Sequence, residues 1–326
     1  MVRWGLLSTA RINRKLIPAI RASKRGSLAA VASRSQTLAD EYARQWGIPK
    51  AFGSYPSMLD SDEIDALYIS LPNHLHAEWT IKALQAGKHV LCEKPLALSV
   101  EQVDQMIAAS QRSGRVLAEA FMYRHHPQTK ILGEWAHTGQ LGEISLVRGV
   151  FNFALQDRED IRLKPEMGGG ALWDVGVYPL SMAQFVYGGP PDRVTGEQWL
   201  GESGVDETFA GLMHYPNGGL AQISCSLRTP RLTEVEIIGT KGMLTLNRPF
   251  IGLESGAQLV FHSSDGKAKR ISVPKKELYM GEIEDMNAAI QGSSLPYLSL
   301  QESRDHVRTV VALHEAARSG RPVSLK

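Results

Sequence analysis

The chain is poor in cysteine: among 326 residues only Cys92 and Cys225 carry a thiol. They stand far apart, so the fold is not expected to rest on disulfides. It lacks an apolar run of about 18 residues, so no membrane-spanning helix is expected. An excess of charge is missing too, since 36 Lys and Arg against 34 Asp and Glu leave a formal net charge of +2. That balance gives no electrostatic case for nucleic acid or an anionic membrane as a partner. His74 and His76 are two apart, but no nearby Cys or carboxylate completes a ligand set, and no metal is expected. Met1-Val2-Arg3-Trp4 leads straight into an apolar strand, leaving no room for a secretory signal. A soluble cytoplasmic protein is the expectation.

What the chain does have is a regular alternation of elements. Short apolar runs at 2–7, 28–32, 66–71, 88–92 and 116–120 read as strands, and the segments between them contain helices, among them 38–46, 76–86 and 100–113. Uniformly apolar strand centres separated by helices indicate an α/β domain with a parallel sheet covered on both faces. A doubly wound, Rossmann-type domain is therefore expected over residues 1–122. After a helix at about 127–138, residues 123–326 change character. Strand-like runs follow at 144–153, 193–200, 208–215, 220–227, 233–238, 243–246 and 258–262, with turn signals at Pro216-Asn217-Gly218-Gly219 and Asp265-Gly266. This half is expected to be α+β with a large, mostly antiparallel sheet. Along 220–227, Ala221, Ile223, Cys225 and Leu227 fall on one side, and Gln222, Ser224 and Ser226 on the other. Such a sheet leaves one face open, and a homodimer or homotetramer through that face is expected.

The ends of the first strands point to a dinucleotide. Strand one runs into Ser8-Thr9-Ala10-Arg11-Ile12, where backbone N–H groups and a helix start would meet a pyrophosphate. Glycine is sparse here, Ser8 and Ala10 standing where it would be ideal, although a serine hydroxyl can itself bond a phosphate oxygen. Strand two ends in Ala32-Ser33-Arg34-Ser35 with no carboxylate to hold a ribose 2′-hydroxyl. Hydroxyls and a guanidinium suit a 2′-phosphate, so NADP(H) is expected over NAD(H). After strand three, Leu71-Pro72-Asn73-His74-Leu75-His76 should line the nicotinamide side, the two histidines acting in hydrogen bonding or helix capping.

Two segments carry chemistry: Glu93-Lys94-Pro95 and Gly168-Gly169-Gly170 followed by Ala171-Leu172-Trp173-Asp174-Val175-Gly176-Val177-Tyr178. Asp174 and Tyr178 are four apart and share a face if helical, although Gly176 and Pro179 argue for a kink. A phenol ionises near about 10, too high for a proton acceptor at neutral pH, and a nearby ammonium favours the phenolate. Lys94 with Tyr178 is therefore a candidate proton-shuttling pair, with Asp174 holding a neighbouring hydroxyl or orienting Lys94. Arg124 and Arg162 are candidate substrate contacts, and Tyr279, just before an amphipathic helix, a candidate to close over the cofactor. A short-chain dehydrogenase would need Tyr-x-x-x-Lys, and none of the nine tyrosines has lysine at that spacing.

With these motifs the chain resembles the glucose–fructose oxidoreductase/inositol dehydrogenase (Gfo/Idh/MocA) family, through Ala86-Gly87-Lys88-His89-Val90-Leu91-Cys92-Glu93-Lys94-Pro95, the glycine run with its Asp-x-Gly, and the C-terminal sheet. The resemblance spans nearly the whole length and implies an NAD(P)-dependent enzyme acting on sugars, polyols or cyclic alcohols. It implies that Lys94 is catalytic and that Lys94–Pro95 is cis. Tyr178 stands where the commoner family pattern has histidine. That substitution, with Glu119-Ala120-Phe121-Met122-Tyr123-Arg124, Asp206-Glu207-Thr208 and Gly239-Thr240-Lys241-Gly242, is similar to the branch holding dihydrodiol dehydrogenase and NADP-dependent xylose dehydrogenases. Oxidation of an aldopyranose at C1 to the lactone is implied. Sugar ketone reduction, trans-dihydrodiol oxidation and a non-catalytic NADP(H)-binding regulator are the alternatives.

Overall fold

The structure, a computed structural model, describes residues 1–251 and 258–325. The chain forms two compact units: Met1–His125 with Glu277–Arg304, and His126–Lys276 with Asp305–Lys326.

The first unit is built on six parallel strands, β1 (Val2–Leu7), β2 (Gly26–Ala32), β3 (Lys50–Phe52), β4 (Ala66–Ile69), β5 (His89–Glu93) and β6 (Leu117–Ala120), in the order β3-β2-β1-β4-β5-β6. The order reverses between β1 and β4, and the crevice beyond the carboxyl ends of strands at such a point is where doubly wound sheets bind ligands. Strand β4 is buried at all four residues, as a sheet with helices on both faces requires. Those helices are α1 (Asn13–Ala22), α2 (Gln36–Trp46), α3 (Tyr55–Leu59), α4 (His76–Gln85) and α5 (Val100–Ser113). Ser35, Ser54 and Ser99 cap α2, α3 and α5 by accepting backbone N–H groups. Strand β3 escaped the sequence because three residues opening on an exposed lysine carry no period.

A single division after residue 122 does not describe the chain, because residues 277–304 belong with the first unit. After α6 (Pro127–His137) and α7 (Val177–Tyr187) in the second unit, α8 (Met280–Ile290) returns to pack against α1. The fully buried Trp4 donates its indole N–H to Asn287 Oδ1 at 3.0 Å, and Asn287 Nδ2 donates to Ser23 at 3.1 Å. One side chain thereby ties the last part of the chain to the first strand and helix. The last helix, α9 (Leu300–Ser319), begins in the first unit and continues in the second.

Among the described residues the second unit holds nine strands: β7 (Ile144–Asn152), β8 (Arg193–Leu200), β9 (Asp206–His214), β10 (Leu220–Ser226), β11 (Leu232–Gly239), β12 (Gly242–Asn247), β13 (Leu259–Ser263), β14 (Ala268–Ile271) and β15 (Val323–Ser324). Their order is β14-β13-β12-β11-β7-β10-β9-β8-β15, antiparallel throughout except for the parallel pair β7 and β10. Ala221, Ile223 and Cys225 are buried and Gln222 exposed, as the alternation requires. Ser226 departs from it, buried by hydrogen bonds to Thr208 Oγ1 and the Glu207 carbonyl. Helix α7 crosses β7 so closely that a Cβ at Gly149 would lie 2.7 Å from Pro179. Arg148, Val150, Gln222, Ser224, Glu234 and Glu236 line a groove on the sheet, with Arg148 paired to Glu236 at 2.9 Å. Among the described residues no helix is long and apolar enough to cross a membrane.

Candidate active site

In the first unit the turn after β1 is locked from within. Ser8 has φ 151°, a conformation usually left to glycine. A closed set of hydrogen bonds holds it there. Ser8 Oγ lies 2.8 Å from Ser70 Oγ and accepts the Ala10 N–H at 3.1 Å, Asn13 Nδ2 donates to the Ser8 carbonyl at 2.8 Å, and Ser70 Oγ donates to Asn13 Oδ1 at 2.7 Å. The hydroxyl of Ser8 is therefore engaged inside the protein. Asn13 was missed; its only sequence signal is an amide at the start of a helix otherwise facing the sheet. Thr9, Ala10, Arg11 and Ile12 form the open part of the turn. Helix α1 begins with no side-chain cap and no acidic residue in its first turn, so its N-terminal dipole remains available to an anion.

At the tip of β2, Ser33 is buried, its N–H bonded to the Phe52 carbonyl at 3.0 Å. Ser35 is occupied in capping α2. Arg34 alone of the three is exposed, and no carboxylate accompanies it at this end of the strand. The donor set fits a phosphorylated dinucleotide: uncapped helix N–H groups for a pyrophosphate and a guanidinium for a phosphate monoester.

Beyond β4, Leu71 is buried while Pro72, Asn73 and His74 are half-buried. His74 Nδ1 is buried without a hydrogen-bond partner. His76 differs: it is fully buried, with Nδ1 2.8 Å from the Pro95 carbonyl and Nε2 2.8 Å from the Leu71 carbonyl. Each ring nitrogen faces a carbonyl, and a neutral ring can donate to only one of them; burial lowers the affinity of the ring for the second proton, against the pull of the two carbonyls. His76 is a strut between two loops.

That strut bears on the Glu93-Lys94-Pro95 block, whose Lys94–Pro95 bond is cis. Glu93 Oε2 accepts the Lys94 N–H at 3.2 Å, Tyr68 donates its hydroxyl to Glu93 Oε1, and Glu119 Oε1 accepts the Leu96 N–H at 2.9 Å. Three buried or half-buried side chains therefore fix the backbone around Lys94. Tyr279, at the start of α8, is buried, and Glu282 one turn on is 2 % exposed with neither carboxyl oxygen hydrogen-bonded. Burial, then the neighbouring Glu93 and Glu277, pushes the Glu282 carboxyl well above the ordinary carboxylate range. Burial raises Glu93 as well, and Tyr279 is raised by burial and then by Glu93 and Glu282. Tyr68 and Glu282 were not read from the sequence, where each is one ordinary residue in an apolar context.

Arg124 has partners inside the first unit. It is 2 % exposed, bonded through Nη2 to Glu302 Oε1 at 3.0 Å and stacked over the Tyr297 ring.

In the second unit the glycine run precedes a π-helical turn over Leu172–Gly176, which passes into α7. The Val177 N–H reaches the Leu172 carbonyl five residues back. The expected kink is thus a wider turn, and the four-residue spacing of Asp174 and Tyr178 no longer equals one α-helical turn. Gly176 makes room for this turn on β10, since a Cβ would lie 2.8 Å from Cys225 Sγ. Asp174 Oδ2 accepts Arg162 Nε at 2.6 Å, and Asp160 accepts the same guanidinium at 3.2 Å. Asp174 first, and Asp160 after it, hold Arg162 firmly protonated. Tyr178 is 6 % exposed and packs against Phe151 and Phe250, with ring centroids 5.2 and 5.3 Å away.

Comparison with known proteins settles the family. Residues 2–121 match the oxidoreductase family model with an NAD-binding Rossmann fold, and residues 130–245 match the GFO/IDH/MocA C-terminal domain. The chain belongs to the Gfo/Idh/MocA oxidoreductases. It is similar to D-xylose 1-dehydrogenase (NADP(+)) 2 of Haloferax volcanii, with 36% identity over 99% of both chains. It is also similar to trans-1,2-dihydrobenzene-1,2-diol dehydrogenase of Xenopus laevis, with 32% identity over 75% of this chain and 74% of the other. The crystal structure of KijD10, a 3-ketoreductase from Actinomadura kijaniata in complex with NADP and TDP-benzene, superposes with a TM-score of 0.90 at 29% identity, covering 97% of each chain. Like its relatives, this Gfo/Idh/MocA oxidoreductase is an NAD(P)-dependent enzyme of the class acting on sugar CH–OH groups.

Proposed function

We propose that this enzyme uses NADP(H) and oxidises the C1 hydroxyl of an aldopyranose to the lactone. The observation that carries the reading is Tyr178, placed just beyond the π-helical turn that holds the Asp174–Arg162 pair. The similarity to a xylose 1-dehydrogenase supports the substrate class. Arg34 and Ser33 would hold the 2′-phosphate, the backbone of residues 9–12 the pyrophosphate, and Leu71, Pro72, Asn73 and His74 the nicotinamide side. Bound NADP would supply the hydride acceptor. Tyr178 takes the hydroxyl proton as hydride leaves the same carbon, and the Lys94 ammonium favours the phenolate and polarises the substrate oxygen. Asp174, already carrying Arg162, holds a neighbouring sugar hydroxyl as an acceptor, and Arg162 serves as the donor beside it. Tyr279 lies beside Glu93 and borders the cofactor.

The test is absorbance of reduced nicotinamide after incubation with NADP and a panel of aldoses. Turnover of a pentose or hexose is expected, and Tyr178→Phe should lower kcat by about 100-fold or more. A Tyr178→Phe variant within a few-fold of the parent would reject the proton-transfer role. The relatives that are dTDP-sugar 3-reductases favour a second reading, reduction of a sugar ketone; NADPH consumption with ketosugars but none with aldoses would select it. A regulator without turnover would be silent in both directions.

A further inference from the structure

Asp206 opens β9 and is 3 % exposed. Its Oδ2 accepts the Leu172 N–H at 2.7 Å, and the Ala171 N–H also bonds the carboxylate. These are N–H groups at the start of the π-helical turn that carries Asp174 and leads to Tyr178. Gly170, immediately before them, has φ 121°, and a Cβ there would run into the Asp206 carboxylate. The third glycine of the run thus leaves the space through which the acid reaches the turn.

Among the described residues the charged groups around Asp206 are few. From the helical side comes Asp174, neutralised by Arg162. From β10 comes the buried Cys225 thiol, raised by burial first and then by Asp206 and Asp174. The next residue of β9, Glu207, pairs with Arg158 at 3.0 Å and Arg228 at 3.7 Å. Residues 168–171 carry no charge. Backbone N–H groups therefore hold the carboxylate, and a small change in its charge acts directly on the turn.

We propose that Asp206 is a positioning residue: its ionised carboxylate anchors the π-helical turn and so sets where Asp174 and Tyr178 present their side chains. The inference rests on Tyr178 as the proton-transfer group. Burial pushes Asp206 up to about 7 while the backbone hydrogen bonds pull it down, so the anchor changes charge near neutrality. Ionised above that value, it holds the turn; protonated below it, it keeps the shape of the contact but loses the charge-assisted bonds.

Asp206→Asn tests this, since asparagine imitates the protonated acid. At about pH 8.5 the variant should lose about tenfold or more in kcat, with KM for NADP nearly unchanged, because misplacing reacting groups by less than 1 Å is enough for such a loss. At about pH 6 the two proteins should converge, the wild-type rise with pH being the titration of Asp206. A folded variant that keeps the wild-type kcat and pH profile overturns the proposal. So does a loss that is the same at every pH, the mark of a structural defect. Trp173 lies in the same turn and gives a readout without turnover. Its emission should show a step near neutral pH in the wild type, absent from both Asp206→Asn and Trp173→Phe. A step that survives in Asp206→Asn counts against the anchor. If Tyr178→Phe turns over normally while the emission step behaves as expected, the proton-transfer role has failed and the anchor has not.

Discussion

Ser8 holds a backbone conformation normally given to glycine, and the ring formed with Ser70 and Asn13 is what makes that tolerable. From the sequence Ser8 was a hydroxyl at a phosphate address, and nothing in its neighbours showed that the hydroxyl would turn inward. The same limit applies to His76 and Arg124, whose residue types did not announce their internal partners, Leu71, Pro95 and Glu302. Arg34 is the contrasting case, because it is exposed at the tip of β2 where the sequence placed it. Arg34→Asp should raise KM for NADP by about tenfold or more, the loss of a charge-assisted phosphate contact, while leaving KM for NAD little changed. Initial-rate kinetics with both cofactors decide it, and parallel changes would dismiss Arg34 as the selectivity residue.

Among elements, those with a clear period were legible. The limits of β1, α5 and β8 coincide with the sequence expectation. Strands β14 and β15 and the parallel pairing of β7 with β10 were not, as short edge strands carry little pattern and strand direction is a property of the partner. The π-helical turn was visible only as a conflict between a helical pattern and Gly176 and Pro179. Helix α8 carries a consequence for pH. Its Glu282 is buried and raised by burial, faced by Glu93 and Glu277, whereas an unfolded glutamate ionises near about 4.3. Stability is therefore lost as pH rises above the unfolded value, the folded state resisting an ionisation that the unfolded chain accepts. Glu282→Gln should be more stable than the parent by about 1 kcal/mol or more at about pH 8 by chemical denaturation, with the difference shrinking toward about pH 5. An equal difference at both would mean that the carboxyl does not titrate as described.

For the molecule as a whole, the two-part plan and the family were legible because Glu93-Lys94-Pro95 and the Gly-Gly-Gly…Asp-x-Gly-x-Tyr segment are specific strings. Of the side chains that hold those strings, Tyr68 stands singly and had no such mark, whereas Glu119 and Asp206 lie in strings of their own that marked the family without showing that the two acids bond Leu96 and Leu172. The groove lined by Arg148, Val150 and Glu236 underlies the proposal that copies associate through this sheet. Light scattering should give a multiple of 35.8 kDa, and Val150→Glu, which adds a charge beside Glu234 and Glu236, should shift the mass toward the monomer. A monomeric parent would remove the proposal.

The return of residues 277–304 to the first unit bears on how the protein is made. The indole of Trp4 waits for Asn287, so a ribosome has delivered most of the polypeptide before the nucleotide-binding half can close its own interior. A nascent chain stalled at residue 276 would expose that seam to chaperones, and a gene cut after residue 125 would express a fragment with an unfilled flank.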